Sequence, residues 1–313
     1  MPLMESKQKM VCDAHPTGSE ENSLDFRRLL TERKVVLLDG AMGTQLDTNS
    51  LMGRGTANLE APQAVLDIHK TYAQAGCDAL ITNTLTMNRI YIETHNVGVS
   101  VRDVNRAGAE LAREAAGDRL CVLGDMSSTG QLLEPYGTYQ EPQVCEAFHE
   151  QAEVLAQAGV DGFIIETMFD LREALCALRA CQKGFSLPVI LSIAFQTDRS
   201  GGRTMMGNTA EQCARQLTDA GADVIGANCG DLDPRQMSRV VALLRAATAR
   251  PIVAQPNAGR PQLVGDRAVF DMEPAAFSEG MVECIRAGAQ IVGGCCGTTP
   301  EHIRAVYERI RSL

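Results

Sequence analysis

A chain of 313 residues with a net charge of −10 and a pI near 5.1 repels phosphate backbones and anionic lipid, which excludes nucleic acid and membrane surfaces as natural partners. Its apolar content of 45% is ordinary, but aromatic residues make up only 4% and Trp is absent, so the core must be built from aliphatic side chains and Met. Eleven cysteines, an odd number scattered through helix-like and strand-like segments, exclude a secreted disulfide framework and predict a reducing, cytoplasmic setting.

No run of 18 apolar residues and no signal-peptide pattern occurs. Residues 1–22 are polar and mixed in charge, which predicts a flexible extension ahead of one domain over 23–313. A short helix is expected at 23–30, then a buried strand from Val35 that runs into the glycine turn Asp39-Gly40-Ala41-Met42-Gly43-Thr44. Further strands are predicted at 79–83, 120–125, 162–166, 189–195, 224–228, 252–255 and 290–294. Helices are predicted at 61–75, 101–116, 142–158, 171–182, 210–220, 234–249, 274–287 and 300–311. Continuous apolar strands alternating with amphipathic helices imply a parallel sheet. Eight such units predict an α/β fold, a single (β/α)8 TIM barrel; an open doubly wound sheet is the alternative.

Four helix ends carry Ala-Gly before a strand, at Gly76, Gly159, Gly221 and Gly288. Counting seven residues on from each reaches Asn83, Glu166, Asn228 and Cys295, and one step further lie Thr84, Thr167, Cys229 and Cys296. Equal counts from a helix end reach equal heights of a barrel, here the C-terminal mouth where barrel enzymes keep their active sites. Cys229, Cys295 and Cys296 therefore converge from two strands. Three thiolates with a fourth position open make a catalytic zinc site, and soft sulfur disfavours magnesium, calcium and manganese. His302, in the first turn of the last helix, is expected to pack locally rather than ligate. A zinc with three thiolates is a poor activator of water; its natural fourth ligand is another sulfur, so alkyl transfer to or from a thiol is the expected chemistry.

The stretches DGAMGTQL (39–46), TNT (82–84), IIETMFDLREA (164–174), GANCG (226–230) and GGCCGTTPEHI (293–303) resemble homocysteine S-methyltransferases, and the resemblance covers nearly everything from Val35 onward. Within that family, STGQLLEPYG (128–137), SGGRTMMGN (200–208) and PNAGRPQ (256–262) look most like the homocysteine-binding module of cobalamin-dependent methionine synthase. The resemblance implies that homocysteine is activated as a zinc thiolate and methylated from methylcobalamin, giving methionine. It further implies that Asp39, the Gly40-Ala41-Met42 backbone and Glu166 hold the amino acid's ammonium and carboxylate, with Thr44, Asn83 and Asn228 as further substrate contacts. The 313 residues hold a barrel and a short extension, which predicts a separate corrinoid protein as partner, with Arg199, Arg203 and Arg260 as docking or donor contacts.

Alternatives are a homocysteine methyltransferase using S-methylmethionine or betaine, a demethylase passing methyl outward to a corrinoid protein, and a non-enzymatic zinc- or thiol-binding module. Asp125-Met126-Ser127, Ala227 and Arg260 depart from the family pattern near strand ends, where substrate or donor is touched. Met42, Met87, Met126, Met168, Met205 and Met206 fall just past predicted strands, either lining the mouth for a bulky donor or filling gaps in an aromatic-poor core.

Overall fold

Eight short parallel strands close on themselves: β1 (Val36–Leu37), β2 (Ala79–Ile81), β3 (Cys121–Met126), β4 (Gly162–Met168), β5 (Val189–Ile193), β6 (Val224–Asn228), β7 (Ile252–Gln255) and β8 (Ile291–Val292). Their hydrogen-bonded order is β1-β8-β7-β6-β5-β4-β3-β2, and a bridge between Leu38 and Ala79 joins the two ends. Asp78 reinforces that seam, its amide donating to Leu37 O at 2.6 Å and its carboxylate accepting from Leu37 N at 2.9 Å. The arrangement is the predicted (β/α)8 barrel. This computed structural model describes residues 25–46, 55–265 and 267–312, so the predicted extension at 1–22 lies outside the described residues.

Successive side chains on a strand face opposite ways, and this sorts the apolar residues into two shells. Val36, Leu38, Ala79, Cys121, Leu123, Ile164, Ile190, Val224, Val253 and Ile291 fill the barrel. Their strand neighbours, such as Leu37, Leu80, Val122, Ile165, Leu191 and Ile225, pack outward against the helices. The helix α1 (Phe26–Glu32), capped by Asp25, sends the fully buried Phe26 into the inner cluster. Higher in the barrel the inward positions turn polar, with Asp125, Glu166, Ser192, Asn228 and Gln255 all buried. That change of character, from apolar below to polar above, is what prepares the C-terminal mouth for chemistry.

The outer helices follow their capping signals. Thr209, Asp233 and Thr299 each form a capping box at the predicted start, and Gly76, at φ 101°, terminates the helix α2 (Pro62–Ala75). Two hairpins are additions to the predicted pattern. Phe195–Thr197 pairs antiparallel with Arg203–Thr204, so the predicted strand 189–195 stops at Ile193; Gln262–Val264 pairs with Arg267–Val269 beyond β7. The first turns on Ser200, Gly201 and Gly202, all with positive φ, a signal already present in the sequence SGGR.

Three of the six methionines fill the core. Met126 and Met168 lie within β3 and β4 and belong to the outer shell, Met87 sits in a satellite cluster with Ile92 and Val104, and Met205 is exposed; Met42 alone of the six lines the mouth.

His69 of α2 is fully buried, with no hydrogen-bond partner for either ring nitrogen. Burial holds its pKa down to about 4, against 6.5 for an ordinary histidine. The unfolded chain therefore takes up a proton below about pH 6.5 that the folded chain refuses until about pH 4. Stability from this residue is present above pH 6.5 and lost as pH falls toward 4, by about 3 kcal/mol in full. Urea unfolding at a series of pH values should show His69→Leu lacking this slope. Buried carboxylates contribute the opposite slope in both proteins, so the difference between the two isolates His69.

Candidate metal centre and amino-acid pocket

The three cysteine sulfurs lie within 4.8 Å of one another at the barrel mouth, with Cys229 Sγ 3.9 Å from Cys296 Sγ. Three ligands at the ordinary Zn–S distance of about 2.3 Å in tetrahedral array would stand about 3.8 Å apart, so the sulfurs fit zinc. No disulfide consumes them. Hydrogen bonding to Cys229 and Cys296, followed by burial, pushes the Cys295 thiol well above the ordinary thiol range, as expected of a cluster that needs a cation to shed its protons.

The backbone holds the cysteines in place. Cys229 follows β6 in the left-handed region at φ 51°, uncommon for a residue with a side chain and costly by about 1 kcal/mol or more. Its amide is pinned to Gln255 O at 3.1 Å. Gly230 must follow, because a Cβ there would lie 2.1 Å from Phe195 O. Cys295 N donates to Pro256 O and Cys296 O accepts from Ala258 N, tying the cysteine pair to the chain beyond β7. His302 packs locally as expected: Nδ1 meets the Thr299 cap and Nε2 meets Met272 O at 2.8 Å.

The equal-count residues do meet. Asn228 is the hub, its amide nitrogen 3.4 Å from Glu166 Oε2, 3.8 Å from Cys295 Sγ and 2.7 Å from Thr167 Oγ1, while its oxygen accepts from Ser192 Oγ and the Thr167 amide. It stands behind Glu166 and positions it.

Among the described residues, a cavity of about 250 Å³ opens beside the cysteines, lined by Gly40, Ala41, Met42, Thr44, Asn83, Asp125, Glu166, Gln255, Cys295 and Cys296. It is of a size for an amino acid. Glu166 is pushed up to about 7, first by burial and then by the neighbouring Cys296. Asp39 is raised well above the carboxylate range by burial; its Oδ2 accepts from Ile81 N at 3.0 Å and its Oδ1 has no partner. Asp125 is raised for the same reason and by the charges of Glu166 and Asp39, and its Oδ1 is likewise unpartnered. Two carboxylates, Asp125 and Glu166, thus line one small cavity, and Asp39 lies behind its wall, near enough for its charge to act on Asp125.

The glycine turn after Asp39 departs from its expected role at one atom. The Ala41 amide donates to Thr298 Oγ1 at 3.0 Å, so it is engaged within the fold, and Tyr72 Oη donates to Ala41 O at 2.8 Å. Gly40 is required there: a Cβ would lie 2.7 Å from Thr298 Oγ1. Thr44 lines the cavity but its hydroxyl accepts from Gly297 N, and Asn83 donates to Asn58 Oδ1, so both are partly committed to the fold. Thr298 and Gln255 are site residues the sequence pattern did not single out. Ala227 points outward into the core, Arg260 donates to Gln236 Oε1 and Arg203 donates to Gly207 O.

A family model for homocysteine S-methyltransferases matches residues 36–310. Methionine synthase of Mycobacterium leprae is 30% identical over 312 residues, which is 93% of this chain and 26% of that protein; the Mycobacterium tuberculosis methionine synthase is 29% identical over 310 residues, 92% of this chain and 26% of that one. The chain spans about a quarter of the length of these curated relatives. The metallated homocysteine methyltransferase MmuM from Escherichia coli superposes with a TM-score of 0.74 at 21% identity, over 91% of this chain and 99% of that one, a likeness of fold.

That match corrects one expectation. A chain called a homocysteine methyltransferase is accounted for to 99% by the barrel alone, so methylcobalamin and a separate corrinoid protein drop out as donor and partner. The matched span from 36 to 310 includes all three cysteines and the carboxylates beside them, and the chain belongs to the homocysteine S-methyltransferase family.

Proposed function

We propose that the protein is a zinc-dependent homocysteine S-methyltransferase that takes its methyl group from a small onium compound, S-methylmethionine or betaine, and forms methionine. The observation that carries this is the set of three sulfurs, mutually within 4.8 Å, opening onto an amino-acid-sized cavity walled by carboxylates. Cys229, Cys295 and Cys296 would hold the zinc. When bound, the metal supplies a lowered thiol pKa, so that the acceptor sulfur is a thiolate at neutral pH.

The chain's own residues do the rest. Asp39 and Glu166 receive the α-ammonium, and Asn228 fixes the Glu166 carboxylate through Oε2. The turn at Met42, Gly43 and Thr44 offers main-chain amides to the α-carboxylate, the Ala41 amide being engaged elsewhere. With both ends of the amino acid held, its sulfur is directed at the mouth, where the donor's methyl carbon meets it. The new C–S bond forms as the donor's C–S or C–N bond breaks, and the donor leaves as a neutral thioether or tertiary amine. The negative mouth and the net charge of −10 favour a cationic donor over an anionic one. Likeness to the methionine synthases supports homocysteine as acceptor, and ten described cysteines outside any disulfide suit a reducing compartment such as the cytoplasm. No described helix is long and apolar enough to cross a membrane.

The test is direct. Zinc-loaded protein incubated with homocysteine and either onium donor should yield methionine with no other protein added. Absence of product with both donors, from protein shown to hold zinc, would sink the proposal.

A further inference from the structure

Asp125 is 4% exposed, lines the cavity and leaves Oδ1 without a hydrogen-bond partner. Its main chain cannot retract, since the amide donates to Thr82 Oγ1 at 2.9 Å and the carbonyl accepts from Thr84 Oγ1 at 2.7 Å. On β4 its register partner is Ile164, two residues short of Glu166, so the Asp125 carboxylate lies deeper in the barrel than Glu166. Leu123, the next inward residue below it on β3, belongs to the apolar interior. The carboxylate therefore rests on the floor of the cavity.

Burying a carboxylate without a counterion costs several kcal/mol, and among the described residues no basic side chain acts on this one. A ligand that brings a cation into the cavity would offset that cost. A metal ion does not suit, because among the described residues only the cysteine set gathers three ligand atoms within 4.8 Å. An ammonium does suit: it carries N–H donors, and Asp125 and Glu166 offer acceptors to the cavity from two neighbouring strands, Asp125 with an oxygen still unpartnered. A donor arriving from solvent over the acceptor sulfur would not reach a group that lies below Glu166.

We propose that Asp125 is the floor of the α-ammonium pocket and determines specificity, selecting thiols that carry an α-ammonium over thiol acids that lack one. The assignment rests on the homocysteine function proposed above. Its test compares binding of homocysteine and of 4-mercaptobutanoate, the same molecule without its amino group, to the zinc-loaded full chain by calorimetry. The unaltered protein should prefer homocysteine. Asp125→Asn should weaken homocysteine binding by roughly 30-fold or more, the scale of removing one partner of a buried charge pair, while 4-mercaptobutanoate changes by no more than about two-fold. Asp125→Ala should behave alike, and zinc content should stay unchanged in both.

Equal weakening of the two ligands would mark Asp125 as structural and overturn the assignment. So would an undiminished preference for homocysteine in a folded Asp125→Asn protein. If the unaltered protein binds neither ligand, the homocysteine function falls and the assignment falls with it.

Discussion

Cys229→Ala should leave a folded barrel that no longer retains zinc, with methyl transfer reduced by roughly 100-fold or more. The change removes one of three sulfurs from a set spaced for a single tetrahedral ion. Cys295 and Cys296 remain, but adjacent residues cannot by themselves complete the set. Changes to groups that merely orient ligands already cost about 10- to 100-fold in metal affinity, so loss of a ligand must cost more. The transfer falls for two reasons: the acceptor thiol loses its low pKa, and its sulfur loses a fixed position, which is worth about 100-fold for a displacement of 1 Å. The fold should survive. Alanine tolerates the left-handed φ of 51° no worse than cysteine does, and the anchoring bond from the amide to Gln255 O is kept. Metal analysis after dialysis, beside a thermal melt, checks both halves of the expectation. Full zinc retention would mean that the cluster is not the metal site.

Glu166→Gln is expected to act in opposite directions on binding and on stability. Glutamine keeps the shape and the contacts to Asn228 and Gln255 but not the charge. Homocysteine should then bind roughly 30-fold more weakly or worse, since its ammonium loses a buried partner. The ligand-free, metal-free variant should nevertheless be more stable than the parent, by about 1–3 kcal/mol at pH 8, because a buried carboxylate crowded by Cys296 and other acids has been neutralised. Isothermal binding and urea unfolding on the same preparation give the two numbers. A variant that loses stability along with affinity would show Glu166 to be holding the barrel together rather than waiting for a cation.

The order of elements was legible because each signal is local. Helix starts such as Thr209, Asp233 and Thr299 carry their own caps, and the buried strands between them are short apolar runs. The hairpins at Phe195–Thr197 and Gln262–Val264 escaped because each is only two or three residues long and pairs within a loop. Counting from the Ala-Gly helix ends found Glu166, Asn228 and the cysteines, since a fixed count along parallel strands reaches a fixed height. The count could not tell a lining residue from a residue behind it. Glu166 faces the cavity, whereas Asn228 supports it.

By itself the amino-acid sequence determined the barrel, the three zinc-binding candidates and the family, because periodicity, spacing and motif survive without coordinates. Only the tertiary structure decided which amide of the Asp39 turn is engaged, that Thr298 locks that turn to the cysteine loop, and that Asp125 joins Glu166 in the wall of one cavity. It also set the size of that cavity, whereas the corrinoid partner was removed by the match to a single-barrel methyltransferase. The reason is physical: partners and room are properties of residues far apart in the chain, here residues 39, 125, 166 and 298, and nothing local to any of them encodes the others' distance.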